Sequence, residues 1–134
     1  MTDTEPSKGV RLTDEQRLAW LRLIRSERVG PATFRTLINQ YGKATAALAS
    51  LPDLARRGGA SGGGSIASHA DGEAEMRAAE RAGARFVGMG EPDYPPWLRH
   101  ADQPPPLIAV RGAAAPLAGP TVAIVGRATH RSPD

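Results

Sequence analysis

Residues 121–125 read Thr-Val-Ala-Ile-Val and end at Gly126. A β-branched, mostly apolar run of this kind reads as a strand covered on both faces. A glycine turn after such a strand is how the first βα unit of a nucleotide- or phosphate-binding α/β domain opens. Only Arg127 to Asp134 follow. A parallel partner strand needs a crossover of roughly a dozen or more residues, which that stretch cannot supply. Either the strand joins a sheet built earlier in the chain, or most of a domain is missing.

The length, 134 residues, suggests a single domain. There is no cysteine, which excludes a disulfide scaffold, a zinc ribbon and a thiol nucleophile. Residues 1–10 are polar and do not resemble a secretory signal. No apolar run approaches the roughly 20 residues that cross a bilayer, so the expected compartment is the cytoplasm. The formal charge is +3 and the sequence pI about 9.9. The positive charge is almost all arginine; Lys8 and Lys43 are the lysines. Arginine forks onto phosphates well, so the balance fits a nucleic-acid partner, although GC-rich coding produces the same bias. Aromatic residues make up 4%, which argues against a platform that stacks successive single-stranded bases.

Thr13 can cap a helix that starts at Asp14, with Gln16 completing a capping box. Leu18, Leu21, Leu23 and Ile24 make its apolar stripe, padded by Trp20. Pro31 suits the first turn of a second helix, in which Phe34, Leu37, Ile38 and Tyr41 share one face and Gly42 marks the stop. A short third helix is expected over 44–49, broken at Leu51 and Pro52, with one or two further turns over 52–56. Residues 57–65 carry Gly58, Gly59, Gly62, Gly63 and Gly64 and read as a linker. No Lys-Ser or Lys-Thr pair follows, so this is not a P-loop. A helix over 71–82 stopped by Gly83, a strand over 85–88, a proline-rich loop over 91–106, a strand over 107–110 and a third over 121–125 complete the pattern.

Two constellations could carry chemistry. Arg28-Val29-Gly30-Pro31 joins two helices as the hairpin of a helix-hairpin-helix module does. There a glycine lets the backbone approach DNA, and amides at the next helix start face a phosphate. The usual hairpin has two glycines around an apolar residue; here Arg28 stands in place of the first. An ordinary helical corner or a protein-docking module reads the same way. The second is Gly126-Arg127, where a glycine after a strand and a nearby arginine can hold a phosphate; a turn glycine and a surface arginine are the plainer reading. His69, His100 and His130 lie far apart without metal-ligand spacing, and no acid–base pair is evident. No enzyme activity, cofactor, metal or membrane contact is expected.

The ordered set of motifs resembles the DprA (Smf) family of DNA-processing proteins. It comprises Trp20-Leu21-Arg22-Leu23, then Val29-Gly30-Pro31 with Phe34 and Leu37, and Tyr41-Gly42. It continues with Leu51-Pro52-Asp53-Leu54-Ala55, Gly83-Ala84-Arg85, Tyr94-Pro95 with Leu98, and Pro105-Pro106-Leu107. Val110-Arg111-Gly112 and Val122-Ala123-Ile124-Val125-Gly126 close it, so the resemblance spans about 12–126. It implies a cytoplasmic protein of natural transformation that binds incoming single-stranded DNA and loads RecA. It also implies a homodimer, and a SAM-like, helix-hairpin-helix-type domain followed by an extended Rossmann-like domain, without enzyme activity.

The expected fold class is therefore α+β. A disordered tail (1–11) leads to a SAM-like/helix-hairpin-helix helical domain (12–57) and a glycine-rich linker (58–70), and the first strands of an incomplete Rossmann-like α/β domain occupy 71–134. Such members continue from the last strand as Gly-Ser-Arg-Asn-Ala-Ser, whereas this chain has Gly126-Arg127-Ala128-Thr129-His130-Arg131-Ser132. Synonymous codons for 127–134, read two bases later, can encode Arg-Asn-Ala-Ser, so a frameshifted, truncated and weakly or non-functional remnant is expected. The candidate DNA-binding residues are Arg28, Gly30, Arg35, Gly126 and Arg127. The alternative is a small helical protein-interaction module without DNA binding.

Overall fold

A computed structural model describes residues 11–57 and 65–127. The expected tail, apart from Arg11, and the glycines of the linker lie outside those residues. Helix α1 (Asp14–Arg25) starts as its sequence requires. The Gln16 N–H donates to Thr13 Oγ1 at 3.0 Å and the Thr13 N–H to Gln16 Oε1 at 2.9 Å, which satisfies two otherwise orphaned donors. Helix α2 (Pro31–Tyr41) begins on proline. It stops at Gly42, whose φ of 86° is a backbone state that glycine adopts without strain. Ala19 and Leu23 of α1, Val29 of the corner, and Phe34 and Leu37 of α2 are buried together with Ala47 of α3 (Ala44–Arg57). The Trp20 and Phe34 rings meet edge to face, with centroids 5.0 Å apart.

Helix α3 corrects the expected break at Pro52: it runs unbroken for 14 residues with Pro52 inside. Proline costs a helix one N–H donor and crowds the preceding turn, but its own φ is helical. Leu48 is buried and Leu51 and Leu54 pack on the same core, and continuing the helix keeps all three on one face.

Helix α4 (His69–Arg81) begins two residues earlier than its sequence suggests, because Ser68 supplies the cap and accepts from the Asp71 N–H at 3.0 Å. Gly72 lies buried where α4 crosses α1. A Cβ there would sit 2.7 Å from Leu18 Cδ1 and 3.0 Å from Arg22 Cγ, so glycine is what allows the close approach. Arg25 clamps the same crossing through a fork onto Glu75, with Nη2–Oε2 at 2.7 Å and Nε–Oε1 at 3.1 Å.

Strands β1 (Ala84–Gly88) and β2 (Leu107–Arg111) pair antiparallel, with Val87 opposite Ile108. A short helix α5 (Pro96–Arg99) lies in the proline-rich connection. Val87, Val110 and Tyr94 form a second small core. Tyr94 is fully buried, and its hydroxyl donates to the Pro105 carbonyl at 2.7 Å. The molecule is thus a four-helix unit followed by a two-stranded antiparallel sheet, mixed α+β as expected.

The third strand does not form. Residues 121–127 have no regular structure, and Val122, Ile124 and Val125 are 88%, 93% and 93% exposed. Strand propensity is expressed only where neighbours cover the side chains and pair the backbone. Among the described residues nothing does either for this run, and β1 and β2 pair with each other.

The two units are joined at Glu91, which is buried and 3% exposed. Its Oε2 accepts from the Gly88 N–H at 2.6 Å, and its Oε1 from the Leu12 N–H at 3.1 Å and Arg17 Nη2 at 2.6 Å. Arg17 Nη2 also donates to the Leu12 carbonyl at 3.0 Å. A Cβ on Gly88 would meet Leu12 Cδ1 at 2.7 Å and Trp20 Cζ3 at 3.2 Å. The start of α1 and the end of β1 are therefore in close contact around one carboxylate.

Candidate nucleic-acid interface

The α1–α2 corner is held from behind. Ser26 is buried; its hydroxyl donates to the Arg22 carbonyl at 2.8 Å and accepts from the Ala67 N–H at 3.1 Å. Glu27 exchanges two hydrogen bonds with Ser65, both 2.9 Å. Val29 is buried in the core, and between these anchors the chain turns at Arg28. Arg28 has φ +68°, the only non-glycine residue at positive φ among those described. The left-handed backbone state that a first hairpin glycine would supply is thus present, although an arginine occupies the position.

Gly30 caps α2 with extended backbone, and a Cβ there would meet nothing within 4 Å. The first N–H of α2 to find a protein acceptor belongs to Phe34, which donates to the Gly30 carbonyl at 2.8 Å. Pro31 has no N–H, no side chain caps the helix, and the Ala32 and Thr33 amides have no acceptor among the described residues. Helix α2 contains no acidic residue. Arg28, Arg35 and Lys43 are exposed and take part in no ion pair or hydrogen bond through their side chains among the described residues. Arg11, Arg17, Arg25 and Arg85, by contrast, all face carboxylates. Among the described residues, these three unengaged cations lie along α2 and its two ends.

A cleft of about 270 Å³ opens beside this helix. Trp20, Phe34 and Ile38 form its helical wall, and Met89, Pro104 and Pro106 the opposite one. Arg35 and Asn39, both exposed residues, also line it, and its lining contains no acidic side chain. A larger cleft, about 520 Å³, lies between α1, α4 and β1. It mixes Asp14, Glu15, Glu73 and Glu80 with Arg17, Arg77 and Arg85, so it presents no single sign of charge. Among the described residues no group of three or more His, Cys, Asp or Glu could hold a metal ion, and no helix is long and apolar enough to cross a membrane.

Of the residues chosen from the sequence, Arg28 and Gly30 lie in the corner itself and Arg35 follows within α2, all three near one end of the helix in sequence. Gly126 and Arg127 do not join them. Both are exposed in the irregular stretch after residue 120, and Gly126 starts no described helix. Their expected role as a phosphate turn depended on the strand that does not form. The cleft and the Glu91 junction have no counterpart in the sequence reading, because they bring together segments 50 or more residues apart.

Helices α1 and α2 joined through the left-handed turn at Arg28 have the arrangement of a helix-hairpin-helix motif. Residues 14–78, from the first turn of α1 through most of α4, match the family described as the DprA-like N-terminal HHH domain. The helical unit of this chain is thus similar to the N-terminal domain of the DprA family. No curated protein matches it.

Proposed function

We propose that the helical unit binds the sugar–phosphate backbone of single-stranded DNA at the α1–α2 corner. The observation that carries this reading is the coincidence at one corner of a left-handed turn, open amides and unpaired arginines. Ala32 and Thr33 offer N–H donors, and Arg28 and Arg35 offer charge that no carboxylate neutralises among the described residues. Such contacts hold a strand without reading its sequence. Binding is therefore weak, non-specific and salt-sensitive, as suits a protein that handles DNA rather than an enzyme that alters it. RecA loading, dimerisation and a cytoplasmic role in natural transformation extend the proposal through the family resemblance; no described residue is assigned to them.

The test is a titration of a single-stranded oligonucleotide at two salt concentrations, with Arg28→Ala and Arg35→Ala beside the parent. Each lost phosphate contact lowers the salt slope by about 0.7. Absence of binding even at low salt would assign the helical unit to protein docking instead.

A further inference from the structure

We infer that the cleft beside α2 receives one unpaired nucleobase of the bound strand, with the exposed Arg35 of its lining engaging the adjoining phosphate. The inference rests on the backbone-binding reading above and adds a ligand to it. The cleft is slightly smaller than the roughly 300–1,000 Å³ of drug-sized sites, so at about 270 Å³ it suits a single planar ring. Its walls are apolar: the Trp20 and Phe34 rings and Ile38 on one side, Met89 and two prolines on the other. Trp20 is only partly buried and is one of the residues that line the cleft.

Charge selects the occupant. An apolar segment of an ordinary protein would gain nothing from Arg35, whereas a nucleotide joins a flat apolar ring to an anion. Among the described residues Arg35 has no carboxylate partner, and no acidic side chain lines the cleft. Asn39 beside it carries both a donor and an acceptor for a base edge. A base held in this way must be out of a duplex stack, so the cleft favours single strands over double ones. One base is taken rather than a stacked series, which agrees with the low aromatic content. Contact with a base that an aromatic ring helps to hold is worth on the order of tenfold in affinity.

The chain has two tryptophans, Trp20 and Trp97. Trp97 is 62% exposed, and its indole N–H donates to the Gly119 carbonyl at 3.1 Å, away from the cleft lining. In the Trp97→Phe chain, Trp20 is therefore the sole indole reporter. Oligothymidine, a strand of equal length with abasic sites throughout, and an acidic leucine-bearing peptide are titrated at low salt, following both anisotropy and Trp20 fluorescence. The expected result is that oligothymidine quenches Trp20 and binds about tenfold more tightly than the abasic strand, which binds without quenching. Asn39→Leu, which narrows the cleft from an exposed position, should lower oligothymidine affinity to the abasic level and leave the abasic affinity unchanged. Equal affinity of the two strands without quenching would overturn the base cleft and leave backbone binding standing. Failure of both strands to bind would overturn the backbone reading, and the cleft with it. Quenching by the peptide alone would give the cleft to a protein partner.

Discussion

Removing the Glu91 carboxylate should uncouple the helical unit from the sheet. Three donors converge on it: the Gly88 and Leu12 N–H groups and Arg17 Nη2. Glu91→Ala leaves the Gly88 amide buried with no acceptor, and deprives Arg17 of its buried partner. Arg17 Nε already has no hydrogen-bond partner, so the guanidinium would keep only the Leu12 carbonyl and the exposed Asp14. Breaking a buried ion pair from one side typically costs about 3–5 kcal/mol. The Arg17 side chain remains 18% exposed and can recover some water, which places the loss near the lower end, about 3 kcal/mol. Against a total stability of roughly 5–15 kcal/mol for a domain, that is a large fraction, and it should lower Tm by roughly 10 °C. Glu91→Gln, which keeps the shape and one acceptor, should cost about half as much. Urea unfolding followed by far-ultraviolet circular dichroism gives the numbers, with Arg17→Met and the double variant completing a cycle. A coupling energy of at least about 1 kcal/mol is expected for residues in one network. A Glu91→Ala protein within 1 kcal/mol of the parent, or a coupling near zero, would refute the junction as the element that joins the two units.

Arg28→Gly should stabilise the fold slightly, by about 0.5 kcal/mol: relief of roughly 1–2 kcal/mol of left-handed strain exceeds the added chain entropy. The same variant should lose one phosphate contact, so urea midpoint and salt slope move in opposite senses; a lower midpoint would contradict the strain. Burial holds the Tyr94 hydroxyl above its ordinary value of 10.0, against a smaller lowering by Arg99. Its contribution is therefore complete below about pH 10 and is lost as pH rises through the higher folded value. Tyr94→Phe should cost about 1 kcal/mol at neutral pH through the bond to Pro105, and show a flatter alkaline stability curve; parallel curves for the two proteins would count against this. Val122→Asp with Ile124→Asp should change stability by less than about 0.5 kcal/mol, since both positions are almost fully exposed. A cooperative loss on urea titration would show that the run pairs with the sheet.

What could be read from the sequence was local. The Thr13–Gln16 box, the Phe34–Leu37–Ile38–Tyr41 face and the Gly42 stop each lie within one or two turns, and each appears where its chemistry places it. Arg28 shows the limit of a motif: the residue departs from the usual glycine, yet the backbone takes the left-handed state, because Val29 is buried on one side and Ser26 and Glu27 are tied down on the other. Pro52 misled because a local penalty was weighed without the packing of Leu48, Leu51 and Leu54. The run over 121–125 misled for the converse reason: its strand propensity has no covering layer among the described residues. Glu91 gave no local signal at all. An acid in a proline-rich loop reads as solvated, and the donors that bury it include Leu12, 79 residues away, and Arg17, 74 away.

The same separation decides how the corner and the cleft are related. Arg28, Arg35 and the open amides belong wholly to the helical unit, so backbone binding needs only α1 and α2 in register. The cleft needs more, because Met89, Pro104 and Pro106 come from beyond β1. That wall is fixed at two points: the Met89 N–H donates to the Pro106 carbonyl at 2.8 Å, and Glu91 ties the end of β1 to the start of α1. Trp20 touches both parts, meeting the Phe34 ring and lying close to Gly88 at the end of β1. Loosening Glu91 would therefore widen the cleft before it disturbed the corner. In a Glu91→Gln protein that remains folded, the preference for oligothymidine over the abasic strand should shrink while the salt slope stays that of the parent. A loss of both together would mean that one rigid surface carries the two contacts, and that the helical unit has no binding function separable from the sheet.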